Sequence, residues 1–309
     1  MKYIIIILLV LLSSVGLIYN FPQIFDAIVA TFIPLIFVNL INSQRMNAYS
    51  SGKIGMWNAF KGNSISLLFS IVLPARVSEL IKPVYFKSKL KIPYSMGVSV
   101  VFLERFFDIV ALFLISLAVL FFLPLPEGGY QSLRWFLITS SIFVFAIFIL
   151  FLCLPFELEK LDKKLPNFIY KSYILSALSH IKNNFKSGLS IYQVLLVTCA
   201  WSGSMFVYWV YFQFDNTMVL DTTQIIIVFI VATLGLSISV TPGGVGSFEA
   251  IVSSLLVSFG YELDDALISV LGLRVALFLP VFFVTLLVTI FEGPSFFRLL
   301  MQSINLRKR

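Results

Sequence analysis

The chain is a succession of long apolar runs separated by short polar stretches. Crossing about 30 Å of hydrocarbon takes about 20 apolar residues in a helix. Six segments reach or approach that length, roughly 3–19, 24–43, 94–123, 132–154, 190–213 and 266–291. Two further apolar segments, 58–90 and 223–258, are interrupted at a proline, in Leu73-Pro74-Ala75-Arg76 and in Thr241-Pro242-Gly243-Gly244. Proline removes a backbone donor and ends a helix at or near that point. The pieces on either side are each about 15 residues and reach roughly 22 Å, too short for a comfortable crossing. Each segment therefore predicts a re-entrant hairpin of two half-helices, because broken backbone at membrane depth is tolerated only beside protein or a watery cavity. The pattern predicts an all-α polytopic membrane protein with about six full transmembrane helices plus two re-entrant half-helix hairpins.

Composition supports one bundle in lipid over residues 1–309. Of the 309 residues, 59% are hydrophobic and 12% charged, against about 25% charged in a soluble domain. Residues 3–19 are expected to be a retained span, since one charge precedes them and no clear A-x-A cleavage site follows. Cys153 and Cys199 both lie in apolar runs and read as small core residues. His180 is the single histidine, which argues against zinc-histidine and Ser-His-Asp chemistry. No cofactor, metal or enzymatic activity is expected.

The net charge of +7 fits cytoplasmic loops rich in Lys and Arg. A nucleic-acid partner would need a basic face on a soluble fold, and none is visible. With the N-terminus cytoplasmic and both hairpins returning to the side they left, 18 of the 22 basic residues fall on the cytoplasmic side. That set includes Arg45 in the loop 44–57, Lys82 at the end of the first hairpin, and the tail Arg307-Lys308-Arg309. The opposite side holds Arg134 and the acids Glu127, Asp215, Asp221, Glu262, Asp264 and Asp265. A multi-pass protein of the cell membrane with both termini cytoplasmic is the expectation. The polar stretch 157–187 carries spaced apolar residues, among them Leu165, Tyr173, Leu178 and Ile181. It reads as an amphipathic helix on the membrane surface or as a plain linker between halves.

The two interruptions resemble one another. Pro74 and Pro242 are 168 positions apart, Val77 and Val245 keep that offset, and Arg105 and Arg274 are 169 apart. Three full spans separate the hairpins, and an odd number inverts the second unit relative to the first. The expectation is an inverted repeat, with unit one over about 24–154 and unit two over about 190–291, of the kind whose binding sites lie between broken helices.

Ionisable groups at membrane depth are costly, at least about 2.5 kcal/mol each on insertion scales. Seven are expected there: Arg76, Glu79, Glu104, Arg105, Asp108, Glu249 and Arg274. Glu104 and Asp108 share a helix face, while Arg105 points about 100° away. Arg76 is a candidate partner for that acidic face, and Arg105 or Arg274 for Glu249. These groups either form ion pairs that fix the bundle or line a polar cavity reached from both sides. A helix beginning at Pro242-Gly243-Gly244-Val245-Gly246 would turn its first N–H groups and partial positive charge toward the break, where phosphate or carboxylate binds well. The same glycines equally suit a plain tight turn.

At these residues the chain resembles a known family. Leu73-Pro74-Ala75-Arg76-Val77-Ser78-Glu79-Leu80 is similar to an L-P-x-R-x-G-E-L segment. Glu104-Arg105-Phe106-Phe107-Asp108 is similar to an E-R-x-x-D helix, and Pro242 to Glu249 to a P-G-G-x-G-x-x-E segment. The family is the flippase-like transmembrane region of lysylphosphatidylglycerol synthases, which also occurs without the synthase domain. The resemblance implies a lipid flippase fold. The sequence ends soon after the last apolar run, so lipid aminoacylation is not expected to carry over. Ser78 stands where glycine is usual and Lys82 where arginine is common, which leaves the lipid open.

The expected function is movement of a polar lipid, a phospholipid or a polyprenyl-linked glycolipid, between leaflets. Arg76, Arg105 and Arg274 would bind the head group, and Glu79, Glu104, Asp108 and Glu249 would pair with them in turn. A transporter or channel for a small soluble anion would use the same groups, and an accessory subunit of envelope synthesis is a further alternative. A lipid head group is the expected partner. A homo-oligomer and contact with envelope-synthesis enzymes stay open.

Overall fold

A computed structural model describes residues 12–70, 73, 77–122, 135, 138–139, 142, 146, 171–186, 191–238 and 241–292. Every regular element among them is helical. In chain order these are α1 (Phe25–Tyr49), α2 (Met56–Ser70), α3 (Ile81–Leu90), α4 (Tyr94–Phe122), α5 (Lys171–Lys186), α6 (Ile191–Phe214), α7 (Thr222–Ile238), α8 (Ser247–Ser258) and α9 (Leu263–Glu292). Residues 12–20 are helical as well, and the start of the expected first span lies outside the described residues. So does most of the expected span 132–154, in which the described residues 135, 138, 139, 142 and 146 are helical.

Three of the described helices are long and apolar enough to cross a membrane: Phe25–Tyr49, Tyr192–Phe214 and Leu263–Val288. At 1.5 Å per residue, α1 with its 25 residues spans roughly 37 Å. The fourth long helix, α4, has 29 residues and carries Glu104, Arg105 and Asp108. The helices on either side of the two interruptions are short. The arms α2, α3, α7 and α8 have 15, 10, 17 and 12 residues. None exceeds roughly 26 Å. Each interruption contains one turn of 3₁₀ helix, Val77–Leu80 in the first and Pro242–Gly244 in the second.

The extent of the helix around Arg45 and the exposure of Cys199 differ from expectation. The helix α1 does not stop near residue 43. Nothing between Leu40 and Tyr49 breaks it, and it ends where Ser51 and Gly52 turn to φ 54° and 79°. Arg45 is therefore on a helix and buried, not in a cytoplasmic loop. Lys82 is likewise buried at the start of α3. Asp215 follows directly on the last residue of α6 and is buried. Cys199 lies on an exposed face of α6 and is not a core residue, while Cys153 lies outside the described residues.

The chain forms two compact units, each discontinuous in sequence: Met1–Ser43 with Phe60–Lys82 and Ala200–Arg309, and Gln44–Ala59 with Pro83–Cys199. In the first unit neutral polar side chains tie α1, α2 and α9 together. The Asn63 amide donates to Asn39 Oδ1 at 2.6 Å, and Asn39 Nδ2 donates to Ser64 Oγ at 3.0 Å. Thr285 Oγ1 donates to the Ser64 carbonyl at 2.9 Å. Away from water a polar group is stable only when it is bonded, and these groups bond to one another. Asp215 accepts from the Thr217 hydroxyl at 2.6 Å and from the Ser269 hydroxyl, which joins α6 to α9. In the second unit α5 packs on α4, with Ser95 and Ser176 hydroxyls 3.0 Å apart and Ile181 buried. Of the polar stretch 157–187, residues 171–186 form this helix, and the rest lies outside the described residues. His180 on α5 is half-buried, and burial together with the nearby Lys53 charge lowers its pKa from the usual 6.5.

Candidate functional site

The second interruption builds a charged site from a glycine turn, a carboxylate and an arginine. Pro242 ends the run begun by α7, and Gly243, Gly244 and Gly246 then adopt φ of 59°, 73° and 84°. Side chains with a Cβ rarely take those values. At Gly246 a Cβ would meet nothing within 4 Å, so conformation rather than crowding calls for glycine there. The turn delivers Glu249 into the first turn of α8. Its Oε2 accepts from the Gly246 N–H at 2.8 Å. Its Oε1 accepts from Arg274 Nη1 on α9, and Arg274 Nη2 donates to the Gly243 carbonyl. The Arg274 guanidinium carbon lies 5.5 Å from the Phe248 ring centroid and 5.6 Å from that of Phe278. Cation–π attraction adds to the ion pair in such a setting.

One carboxylate therefore bridges a helix N-terminus and an arginine. Both are anion-binding features, and the protein's own Glu249 fills the position between them. Gly244 closes the turn by donating to the Thr241 carbonyl at 3.0 Å. The expected pairing of Arg274 with Glu249 is present in this arrangement.

The first interruption lies in the same unit. Glu79 stands in its 3₁₀ turn, and Lys82 Nζ is 2.7 Å from Glu79 Oε2. The lysine side chain is 1% exposed, so its charge is compensated inside the protein and not by water. Ser66 Oγ on α2 donates to the Ser78 carbonyl at 2.9 Å and braces the turn. Pro74 and Arg76 lie outside the described residues.

The second unit holds the other charged cluster. Arg105 Nη1 is 3.2 Å from Asp108 Oδ2, one turn along α4, and Arg105 Nη2 is 3.6 Å from Glu104 Oε1. Asp108 Oδ1 accepts from Arg45 Nη2 of α1 at 2.7 Å. The Tyr49 ring stacks on Phe107 with centroids 5.5 Å apart and planes 5° from parallel. Arg45 was not among the candidate residues, and neither was Lys82. The signals were available. No helix breaker separates Arg45 from the apolar run before it, and Glu79 with Lys82 is an i,i+3 pair of opposite charge.

Among the described residues the fold is all-helical, three helices are long and apolar enough to cross a membrane, and the buried charges are compensated by side-chain partners, which together suit a helical membrane protein. The sequence matches the family described as lysylphosphatidylglycerol synthase TM region over residues 2–285, and the chain belongs to that family. No curated protein and no solved structure matches it.

Proposed function

We propose that the chain moves a polar lipid, a phospholipid or polyprenyl-linked glycolipid, between leaflets by alternating access, without enzymatic chemistry of its own. The observation that carries this reading is the position of the Glu249 carboxylate between Arg274 and the Gly246 N–H. A head-group phosphate offers the same oxygens to the same donors. Its arrival would displace Glu249, release the clamp on Gly243, and leave α8 free to move relative to α9. Arg76 and Arg105 would also bind the head group, with Glu79, Glu104 and Asp108 as switchable partners of the arginines, while the acyl or prenyl chains stay in the bilayer.

The arrangement proposed for this work is six full spans with two re-entrant hairpins, related as an inverted repeat, in the cell membrane with both termini cytoplasmic. The short arms around each interruption and the like order of helix, 3₁₀ turn, helix and arginine-bearing helix support it. The test is translocation of head-group-labelled lipid in proteoliposomes. Arg105→Ala and Glu249→Ala should abolish it while both proteins still insert. Wild-type rates in both variants would sink the proposal, and uptake of a soluble anion without lipid movement would replace it with the small-anion reading.

A further inference from the structure

Glu249 meets its only printed counter-charge in Arg274, and the helices around the pair are otherwise poor in charge. The helix α8 packs on α7 and on α9. No ionisable side chain occurs on α7, and Glu249 is the one on α8. On α9 the other charged groups are Asp264 and Asp265 in the first turn and Glu292 at the last residue. They lie roughly 13 Å or farther from Arg274 along the helix axis. Another carboxylate against α9, Asp215, is engaged by the Thr217 N–H at 3.0 Å and by the hydroxyls of Thr217 and Ser269. Among the described residues of α7, α8 and α9, Arg274 is therefore the one cation that answers Glu249. The two partners are anchored differently. Just before Arg274, the Tyr211 hydroxyl of α6 donates to the Ser269 carbonyl of α9 at 2.8 Å. A Cβ at Gly272 would collide with that same hydroxyl, so α6 and α9 are in close contact beside the arginine. Glu249 rides instead on α8, where Ile251 closes over Gly235 of α7.

We propose that binding of a phosphodiester head group at Arg274 is coupled to uptake of one proton by Glu249, which makes the proton a co-substrate of the site. The reason is charge. With the clamp closed, the pair is neutral. A phosphodiester that takes the carboxylate's place on Arg274 brings one negative charge of its own and leaves Glu249 without a cation. A carboxylate set among apolar helices with no counter-charge is held in its neutral, protonated form. The proton comes from solvent and goes to a carboxylate oxygen of Glu249. It returns to solvent when Glu249 regains Arg274 and the Gly246 N–H. A neutral Glu249 also holds Arg274 less strongly, so proton uptake and head-group binding favour one another. The displaced acid moves with α8, while Arg274 stays with α6. When the head group leaves on the other face of the membrane, the proton leaves with it, and a proton gradient can drive the lipid. The inference rests on the head-group reading of the clamp and adds the ion that moves with the lipid.

The test is calorimetric titration of the full chain in detergent with dihexanoyl phosphatidylglycerol, a soluble phosphodiester with no other titratable group. Two buffers of different ionisation enthalpy report the protons taken up per probe bound. Wild type should take up close to one proton, and Glu249→Gln close to none. The wild-type dissociation constant should rise about tenfold per pH unit from about pH 6 to about pH 8, the slope set by one linked proton. That of Glu249→Gln should stay within about twofold over the same range, because its amide carries no charge to neutralise. His180 is common to both proteins and cancels in the comparison. Binding without proton uptake, or with the same uptake in Glu249→Gln, overturns the inference and leaves the head-group reading standing. If Glu249→Gln does not fold, the wild-type slope and buffer comparison decide alone, and a flat pH series overturns the inference. Dimethyl phosphate, the same phosphodiester without chains, tells the sources of the anion apart. Proton uptake with the lipid alone supports the coupling and assigns it to a head group. Equal uptake with dimethyl phosphate supports the coupling and replaces the lipid by a small solute. Failure of both probes to bind overturns the head-group reading and this inference together.

Discussion

Glu249→Gln tests the clamp with the least change of shape. The carboxylate accepts on both oxygens, from Arg274 and from the Gly246 N–H. An amide has one acceptor oxygen and one donor nitrogen, so one of those contacts becomes donor against donor. The side chains of Arg274 and Glu249 are 13% and 16% exposed, so water does little to compensate. Breaking a buried ion pair by removing one partner costs about 3–5 kcal/mol. The low end applies here, about 3 kcal/mol, because Arg274 keeps the Gly243 carbonyl and two aromatic neighbours. Unfolding free energies in mixed micelles, titrated with denaturing detergent, give the measurement. A double-mutant cycle with Arg274→Gln should show a coupling of about 2 kcal/mol or more, since the pair shares one interaction. Inorganic phosphate should raise the unfolding midpoint of Glu249→Gln more than that of wild type, in which the carboxylate already fills the position. Additivity of the two substitutions within about 0.5 kcal/mol would refute the idea that they act as one clamp.

Gly246→Ala should cost about 1–3 kcal/mol, because φ of 84° with ψ of −48° is sparsely open to a residue with a Cβ. Gly246→Asn should cost about as much, since that ψ lies outside the left-handed region asparagine tolerates, and Gly246→Val more, with open space around the position leaving conformation as the constraint. The same detergent titration measures the series, and equal costs for all three would count against a conformational cause. For His180 the sign follows from its lowered pKa: the unfolded chain takes up a proton more readily than the folded one. Its contribution to stability is full above the usual value of 6.5 and declines as pH falls toward the folded-state value. His180→Gln should flatten that acid limb of the pH–stability curve, and an unchanged limb would exclude His180 as its source.

The turn at Pro242–Gly246 was legible because proline and glycine act on the backbone locally, and their effect does not wait on a tertiary partner. The long helices were legible for the same kind of reason, since an apolar run in lipid has few alternatives to helix. Pairing of Arg274 with Glu249 was one of two options left open, and helix geometry could not choose between them. What chose was the reach of α9 to the Gly243 carbonyl, a contact with no side chain to announce it. Arg45 was misplaced because the boundary of an apolar run was taken as the boundary of a helix. The run ends near Asn42, but the backbone continues to Tyr49, and a buried carboxylate on another helix decides that it should. A charge-counting rule sorts Lys82 and Asp215 by side of the membrane and says nothing of their burial. Each has a specific partner within the same unit, Glu79 in one case and Ser269 with Thr217 in the other.

The fork of Arg274 has one prong on a side chain and the other on the backbone of residue 243. No substitution at 243 can delete that second acceptor, because every amino acid brings a carbonyl. What a substitution changes is where the carbonyl points. Arg274 thus acts as a gauge of loop shape and is blind to loop composition. Changes at 243 should register on the opposite helix in proportion to how far they rotate a single peptide plane. A lysine at 274 would carry the same charge but not the fixed angle between two prongs, and the gauge would lose its scale.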